Sequence, residues 1–290
     1  MPTSPTATSH CEPAASKLDE RSLALRRTIV RMMAAGKRGH LGSALSLVEI
    51  LRVLYDDILR YDPTRPLWPS RDRCILSKGH GCLALYAILA EKGFFPASEL
   101  WKFCHEDGIL GGHPERGKVP GVEASTGSLG HGLAIGIGFA LSARLARATH
   151  RIVVIMSDGE SNEGSVWEAA MCAGKHGLSQ LTVLIDYNKQ QSYGSTFEVL
   201  DLEPFGEKWR AFGFSVEEVD GHSLSALRSV LTRVPLHPRQ PSAIICHTVK
   251  GKGVPFAEGN PAWHHKNKVV DEDVQALLAA LEPRDAQNLP

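Results

Sequence analysis

Asp158 and Asn188 are the residues whose type and placement point most directly to chemistry. Asp158-Gly159 closes the apolar run Ile152–Met156 and leads into Glu163-Gly164, while Asn188 closes the next apolar run, Leu181–Asp186. If those runs are neighbouring strands joined by the helix between them, both oxygens face one crevice. That crevice is where open α/β sheets bind ligands. A carboxylate, an amide oxygen and a backbone carbonyl make a hard, oxygen-only set, which suits Mg²⁺ with phosphate and water completing its shell. Gly159 lets a diphosphate approach the backbone where a side chain would collide. Asp-Gly alone is an ordinary turn and Asn188 alone an ordinary helix cap, so the reading rests on their combination and spacing.

The elements that must position these groups follow from hydrophobic periodicity. Helices are predicted over 18–36, 46–55, 82–92, 131–147, 166–176, 224–233 and 271–281, and strands over 73–77, 152–156, 181–186, 214–219 and 243–247. Strand–helix–strand alternation at this spacing argues an α/β fold, a mostly parallel sheet with helices on both faces. Gly132, Gly136 and Gly138 interrupt one helix; each costs roughly 1 kcal/mol against Ala, which is tolerable where a neighbour packs closely. Residues 105–130 form a long stretch crowded with Gly, Pro and His, a length expected of a functional loop.

Composition excludes several classes. Thirty-two basic residues balance 32 acidic ones, so no basic field exists to meet nucleic acid or an anionic membrane. No run of 18 apolar residues offers a membrane span. Six scattered cysteines (Cys11, Cys74, Cys82, Cys104, Cys172, Cys246) without a CxxC pair read as buried, reduced thiols of a cytoplasmic protein. Residues 1–17, rich in Pro, Ser, Thr and Ala with no apolar core, read as a disordered tail and not a secretory signal. The rest, 18–290, reads as one diphosphate-binding domain with a C-terminal extension.

Five segments, in order, resemble the transketolase family. They are Gly39-His40-Leu41-Gly42-Ser43; Leu76-Ser77-Lys78-Gly79-His80; and the loop Gly112-His113-Pro114, Pro120-Gly121-Val122-Glu123, Thr126-Gly127-Ser128-Leu129-Gly130-His131-Gly132. The Asp158-to-Asn188 stretch follows, then Lys250-Gly251-Lys252-Gly253 with Trp263-His264. The family's thiamine diphosphate signature ordinarily reads Gly-Asp-Gly; here Ser157 stands in place of the first glycine.

The resemblance implies a thiamine-diphosphate-binding fold in which Asp158, Asn188 and the carbonyl of Gln190 ligate Mg²⁺ (or Ca²⁺ or Mn²⁺). Gly159, His80, Lys250 and His264 would surround the diphosphate, and Gly127, Ser128 and Leu129 would meet the aminopyrimidine. His40 and His113, with His80 and His264, would reach the sugar's hydroxyl and carbonyl oxygens, a task for imidazoles whose ordinary pKa lies near working pH. His10, His150, His176, His222 and His237 are read as surface or packed residues, Lys252 as a solvated charge, and His131 and His265 receive no role.

A full transketolase chain is roughly twice as long and continues into a pyrimidine-binding domain that supplies an activating glutamate. The implied arrangement is therefore an N-terminal subunit working with a separate C-terminal subunit, two copies of each, with Glu163 at the interface between active sites. The implied reaction moves a two-carbon ketol unit from a ketose (phosphate) donor to an aldose acceptor. Two rivals stand beside it: the α subunit of a 2-oxo acid dehydrogenase, and a non-catalytic cofactor-binding homologue.

Overall fold

Five short apolar runs build one sheet: β1 (Arg73–Leu76), β2 (Ile152–Ser157), β3 (Leu181–Tyr187), β4 (Ser215–Asp220) and β5 (Ser242–His247). The computed structural model describes residues 18–282, and the expected N-terminal tail and Cys11 lie outside them. The strand order is β1-β2-β3-β5-β4, and every pairing is parallel, with Ser157 opposite Asp186 and Tyr187 opposite His247. β1, β2 and β3 are buried along their whole length, whereas the edge strand β4 is half-exposed. A strand covered on both faces reads as a continuous apolar run without alternation, which is why these segments are legible in the sequence.

Alternate strand residues serve two cores. Leu76, Val153, Ile155, Leu184 and Ile244 pack on one face with α1 (Glu20–Gly36), α2 (Leu41–Leu45), α3 (Val48–Val53), α4 (Cys82–Glu91) and two later helices. Ile75, Val154, Met156, Val183 and Ile245 pack on the other with α5 (Gly132–Leu145), α6 (Gly164–His176) and a third later helix. Of the remaining helices, α7 (Thr196–Leu200) and α8 (Phe205–Ala211) follow β3, α9 (Leu224–Leu231) lies between β4 and β5, and α10 (Asp271–Ala280) closes the described chain. α9 and α10 join the first face and α8 the second, so the sheet is sandwiched as expected.

Two of the three helix glycines lie at close approaches. A Cβ on Gly132 would fall 2.3 Å from Ser77 Oγ and one on Gly136 would fall 2.5 Å from Val154 Cγ2, but a Cβ on Gly138 meets nothing within 4 Å. The close-contact reading is thus wrong for Gly138, which faces outward. The predicted helix over 46–55 is in fact α3 continued by a wider-wound turn, Leu54–Ile58, with the short α2 just before it. Helices α7 and α8 have no counterpart among the predicted elements. Cys74, Cys82 and Cys246 are buried, but Cys172 is only partly so and Cys104 is exposed.

Candidate active site

The carboxyl ends of four parallel strands meet at one cavity of about 280 Å³. Lys78 follows β1, Asp158 follows β2, Asn188 follows β3, and Lys250 lies just beyond β5. Side chains far apart in sequence thus converge at the carboxyl ends of the strands.

Asp158 is fully buried. Its carboxylate accepts from the backbone N–H groups of Gly159 (2.7 Å) and Lys189 (2.5 Å). Burial, and then the charge of Asp186, push its pKa up to about 7. A buried carboxylate with two amide donors and no paired cation of its own gains from a bound metal ion. Asn188 Oδ1 accepts from Gln190 N (3.1 Å), and Gln190 O accepts from the Lys250 ammonium (3.1 Å). Among the described residues, no group of three or more His, Cys, Asp or Glu could hold a metal. A cation here would therefore depend on the amide and carbonyl oxygens beside Asp158. These hard oxygens fit Mg²⁺ in kind.

Lys250 is 4% exposed. Burial, then the nearby Lys78, bring its pKa down to about 8. A Cβ on Gly159 would approach Gln191 Cγ to 3.0 Å, and one on Gly127 would approach His113 Cδ2 to 3.0 Å. Both glycines line the cavity, so it offers an anion the Lys250 ammonium and stretches of bare backbone.

Four loops bring the histidines in. His40 precedes α2 and is pinned by a bridge in which Gly39 and Lys266 exchange two hydrogen bonds of 3.0 Å. His80 sits in the single turn that follows Lys78. His113 lies on the long loop, whose carbonyls at Gly111 (3.0 Å) and His113 (2.9 Å) accept from the hydroxyl of buried Tyr86 on α4. The same loop is tied down by Arg71, which donates two hydrogen bonds of 2.7 and 2.6 Å to Glu123. His264 accepts from or donates to Ser192 Oγ at 3.0 Å through Nε2. His40 is the hub: its ring lies 5.3 Å from His80, 5.6 Å from His264 and 6.1 Å from His113.

These imidazoles depart from the expectation of an ordinary titration. Burial, then neighbouring cationic groups, lower His40 and His264 to about 3 and take His80 well below its usual range. At neutral pH they are uncharged rings, each with one N–H donor and one acceptor nitrogen.

The structure thus gathers His40, His80, His113, His264, Gly127, Leu129, Gly159, Asn188, Gln190 and Lys250 at the cavity, with Asp158 directly behind it. Ser128 and Glu163 are exposed and do not line it. Sequence reasoning missed Asp186, whose carboxylate pairs with the Lys78 ammonium and accepts from Ser46 Oγ (2.7 Å) and Thr248 Oγ1. It also missed Glu160, which binds Ser77 Oγ and accepts from the N–H of Gly130 (2.9 Å), joining β1, β2 and the 126–130 loop. A Lys and an Asp at the ends of fully apolar strands were the available signal, since neither is buried without a partner. His265, given no role, stacks on His40 with ring centroids 4.2 Å apart.

Comparison with known proteins decides the family. The family described as "Transketolase, thiamine diphosphate binding domain" matches residues 20–287. The chain belongs to the transketolase family. It is 42% identical over 248 residues to the 6-deoxy-6-sulfo-D-fructose transketolase subunit SqwG of Clostridium sp. (strain MSTE9), covering 86% of this chain and 90% of that one. It is 41% identical over 262 residues to an apulose-4-phosphate transketolase subunit from Actinobacillus succinogenes, covering 90% and 95%. Among solved structures, transketolase from Leishmania mexicana superposes with a TM-score of 0.84 at 31% identity, covering 90% of this chain but 40% of that one. The chain is a thiamine-diphosphate-dependent transketolase's N-terminal, diphosphate-binding subunit, and these comparisons do not favour the oxo acid dehydrogenase reading.

Proposed function

We propose that this cavity holds the diphosphate and metal end of thiamine diphosphate and presents four neutral histidines to a sugar substrate. The observation that carries the reading is the convergence of Lys250, Gly159, Asn188 and Gln190 with His40, His80, His113 and His264 on one cavity, Asp158 lying directly behind it. In this reading Asp158, Asn188 and the Gln190 carbonyl hold Mg²⁺, or Ca²⁺ or Mn²⁺ in its place. Lys250, His80 and His264 face the diphosphate, and Gly127, Ser128 and Leu129 meet the aminopyrimidine. When bound, thiamine diphosphate supplies the nucleophilic carbon that breaks and remakes a carbon–carbon bond beside a carbonyl.

The chain's own residues hold and orient. A phosphate beside Lys250 favours its charged form, reversing the effect of burial. Because His40 and His264 are neutral, each can accept a hydrogen bond from a substrate hydroxyl at one nitrogen while donating at the other. His264 Nδ1 is buried and has no hydrogen-bond partner among the described residues, a group ready for a ligand atom. His113, at the rim, reaches the far side of the same substrate.

The site is open on one side, and a second polypeptide would close it. Tyr193, which lines the cavity, is 94% exposed, and Phe197, four residues on, is 76% exposed, apolar surface that water solvates poorly and a partner would cover. Relatives of this length are named as subunits, which supports a separate C-terminal subunit carrying the pyrimidine-binding half. Two copies of each chain, with exposed Glu163 at their junction, complete the arrangement. The relatives' names carry a sulfonated and a phosphorylated sugar; an anionic sugar is the substrate class we assign here.

Ketol transfer measured with the reconstituted pair, thiamine diphosphate and Mg²⁺ tests the reading. Asp158→Ala should abolish turnover, and chelation should remove activity that Mg²⁺ or Mn²⁺ restores. Full activity of this chain without a second polypeptide would sink the two-subunit proposal. Retained activity of Asp158→Ala would favour a non-catalytic role for the site.

A further inference from the structure

We infer that Arg26, Glu49 and His222 form a buried relay that positions Lys250 by gripping the backbone on both sides of it. The inference rests on the reading that Lys250 faces the diphosphate. None of the three is among the residues lining the cavity.

Their side chains are buried, at 0%, 1% and 4% residue exposure. Arg26 on α1 meets Glu49 on α3 in a two-pronged pair of 2.6 and 2.9 Å. Glu49 Oε2 then lies 2.9 Å from His222 Nδ1, and His222 Nε2 lies 2.8 Å from the backbone nitrogen of Val249. The amide of Val249 can only donate, so Nε2 must accept, the ring proton must sit on Nδ1, and Glu49 accepts it. The imidazole is therefore a neutral connector of fixed tautomer. On the other side of Lys250, Arg26 Nε donates to the carbonyl of Lys252 at 2.8 Å. The remaining guanidinium donors go to the carbonyls of Ser22 (3.3 Å) and Leu45 (2.9 Å), so all five N–H groups are used.

Residues 249 and 252 are thus held by one network, with Lys250 between them. The turn is tight: Gly251, inside the bracket, and Gly253, just past it, have φ of +85° and +94°, values open to glycine at little cost. A buried ion pair seldom adds stability over an apolar core of the same volume. What an apolar core could not do is fix two peptide groups, and through them the direction of an ammonium. Burial alone on Glu49 would raise its pKa; Arg26 and then His222 outweigh it and hold the carboxylate ionised.

The test is a double-mutant cycle in the full complex with the partner chain, reading equilibrium affinity for thiamine diphosphate with Mg²⁺ and for inorganic pyrophosphate. His222→Gln and Glu49→Gln should each weaken both ligands by about 10-fold, the scale of a lost supporting contact. In a Lys250→Met background the same changes should shift affinity by less than about two-fold, because coupled residues are not additive. If Lys250→Met alone leaves both affinities unchanged, the diphosphate reading itself fails and takes the relay with it. If Lys250→Met weakens binding but the relay variants do nothing, or weaken it equally in both backgrounds, the relay is packing and the inference is overturned. Failure of both relay variants to fold, seen by circular dichroism, would also overturn it by making the network a folding element.

Discussion

Substituting Asp186→Asn, behind the cavity-lining Lys78, should destabilise this chain by stranding a buried ammonium. Asp186 and Lys78 are an ion pair whose side chains are 0% and 1% exposed. The carboxylate also accepts from Ser46 and Thr248. The pair therefore joins the end of β1 to β3, α2's neighbour Ser46 and the segment beyond β5. Removing one charge strands the other in a low-dielectric interior, which typically costs about 3–5 kcal/mol. A partial offset is visible. Asp186 raises the pKa of Asp158, so its loss relieves that repulsion and leaves Asp158 as a second, poorer partner for Lys78. We expect a net loss of about 2–4 kcal/mol after that relief.

For a chain of this size, such a loss corresponds to a melting temperature lower by roughly 4–8 °C. The assay is denaturant unfolding of the wild type, Asp186→Asn, Lys78→Met and the double variant. The reasoning requires the double variant to be more stable than Asp186→Asn, because it removes the stranded ammonium. A sum of the two single effects, or a change below about 1 kcal/mol in Asp186→Asn, would refute it.

Other consequences follow from the same geometry. Unfolded histidines take up a proton near their ordinary 6.5, whereas folded His40 and His264 resist until about 3. The unfolded state binds more protons in between, so stability should fall progressively as pH drops from about 6.5 toward 3. A His40→Gln variant should show a shallower fall in a denaturant series over that range. Gly132→Ala would drive a methyl to 2.3 Å from Ser77 Oγ and should cost about 1–3 kcal/mol. Gly138→Ala, with nothing within 4 Å, should stabilise by about 0.5–1 kcal/mol; equal effects at both positions would contradict the packing. Tyr86→Phe removes the hydroxyl that binds the Gly111 and His113 carbonyls. In the assembled enzyme it should raise the sugar KM by about five-fold, the value of roughly 1 kcal/mol, while thiamine diphosphate affinity stays constant.

The strands and most helices were legible because burial on both faces writes long apolar runs that need no knowledge of neighbours. What escaped depended on contacts across the fold. Helices α7 and α8 are short, and α8 follows directly on Pro204 and contains Gly206, so periodicity had little length to act on. Yet Ser195 and Glu198 form a reciprocal cap at the start of α7, a local signature that could have been read. The order of the site segments was legible, but the pairing of Lys78 with Asp186 was not, since it requires knowing that β1, β2 and β3 lie side by side. The pKa of the histidines was misjudged for a similar reason. Their ordinary value describes a solvated ring, and His40, with four other imidazoles packed around it, is not solvated in that way.

The way each group is held separates two tasks. Lys78, Asp158 and Asn188 stand within one or two residues of a strand end, where the ladder fixes the backbone. Glu160 and the Asp186 pair tie those ends together from beneath. His113 and His264, by contrast, stand on long connections outside the ladder, held by scattered contacts such as Tyr86 and Arg71 on one and the Gly39–Lys266 bridge and Ser192 on the other. Strand ends are stiff and loops tolerate change. A diphosphate and its metal ask for the same geometry whatever the sugar, whereas the sugar's length and stereochemistry ask for adjustment. In the reading proposed here, altered sugar preference should therefore be reached through substitutions on residues 105–130 and 260–266, leaving the strand-end groups untouched.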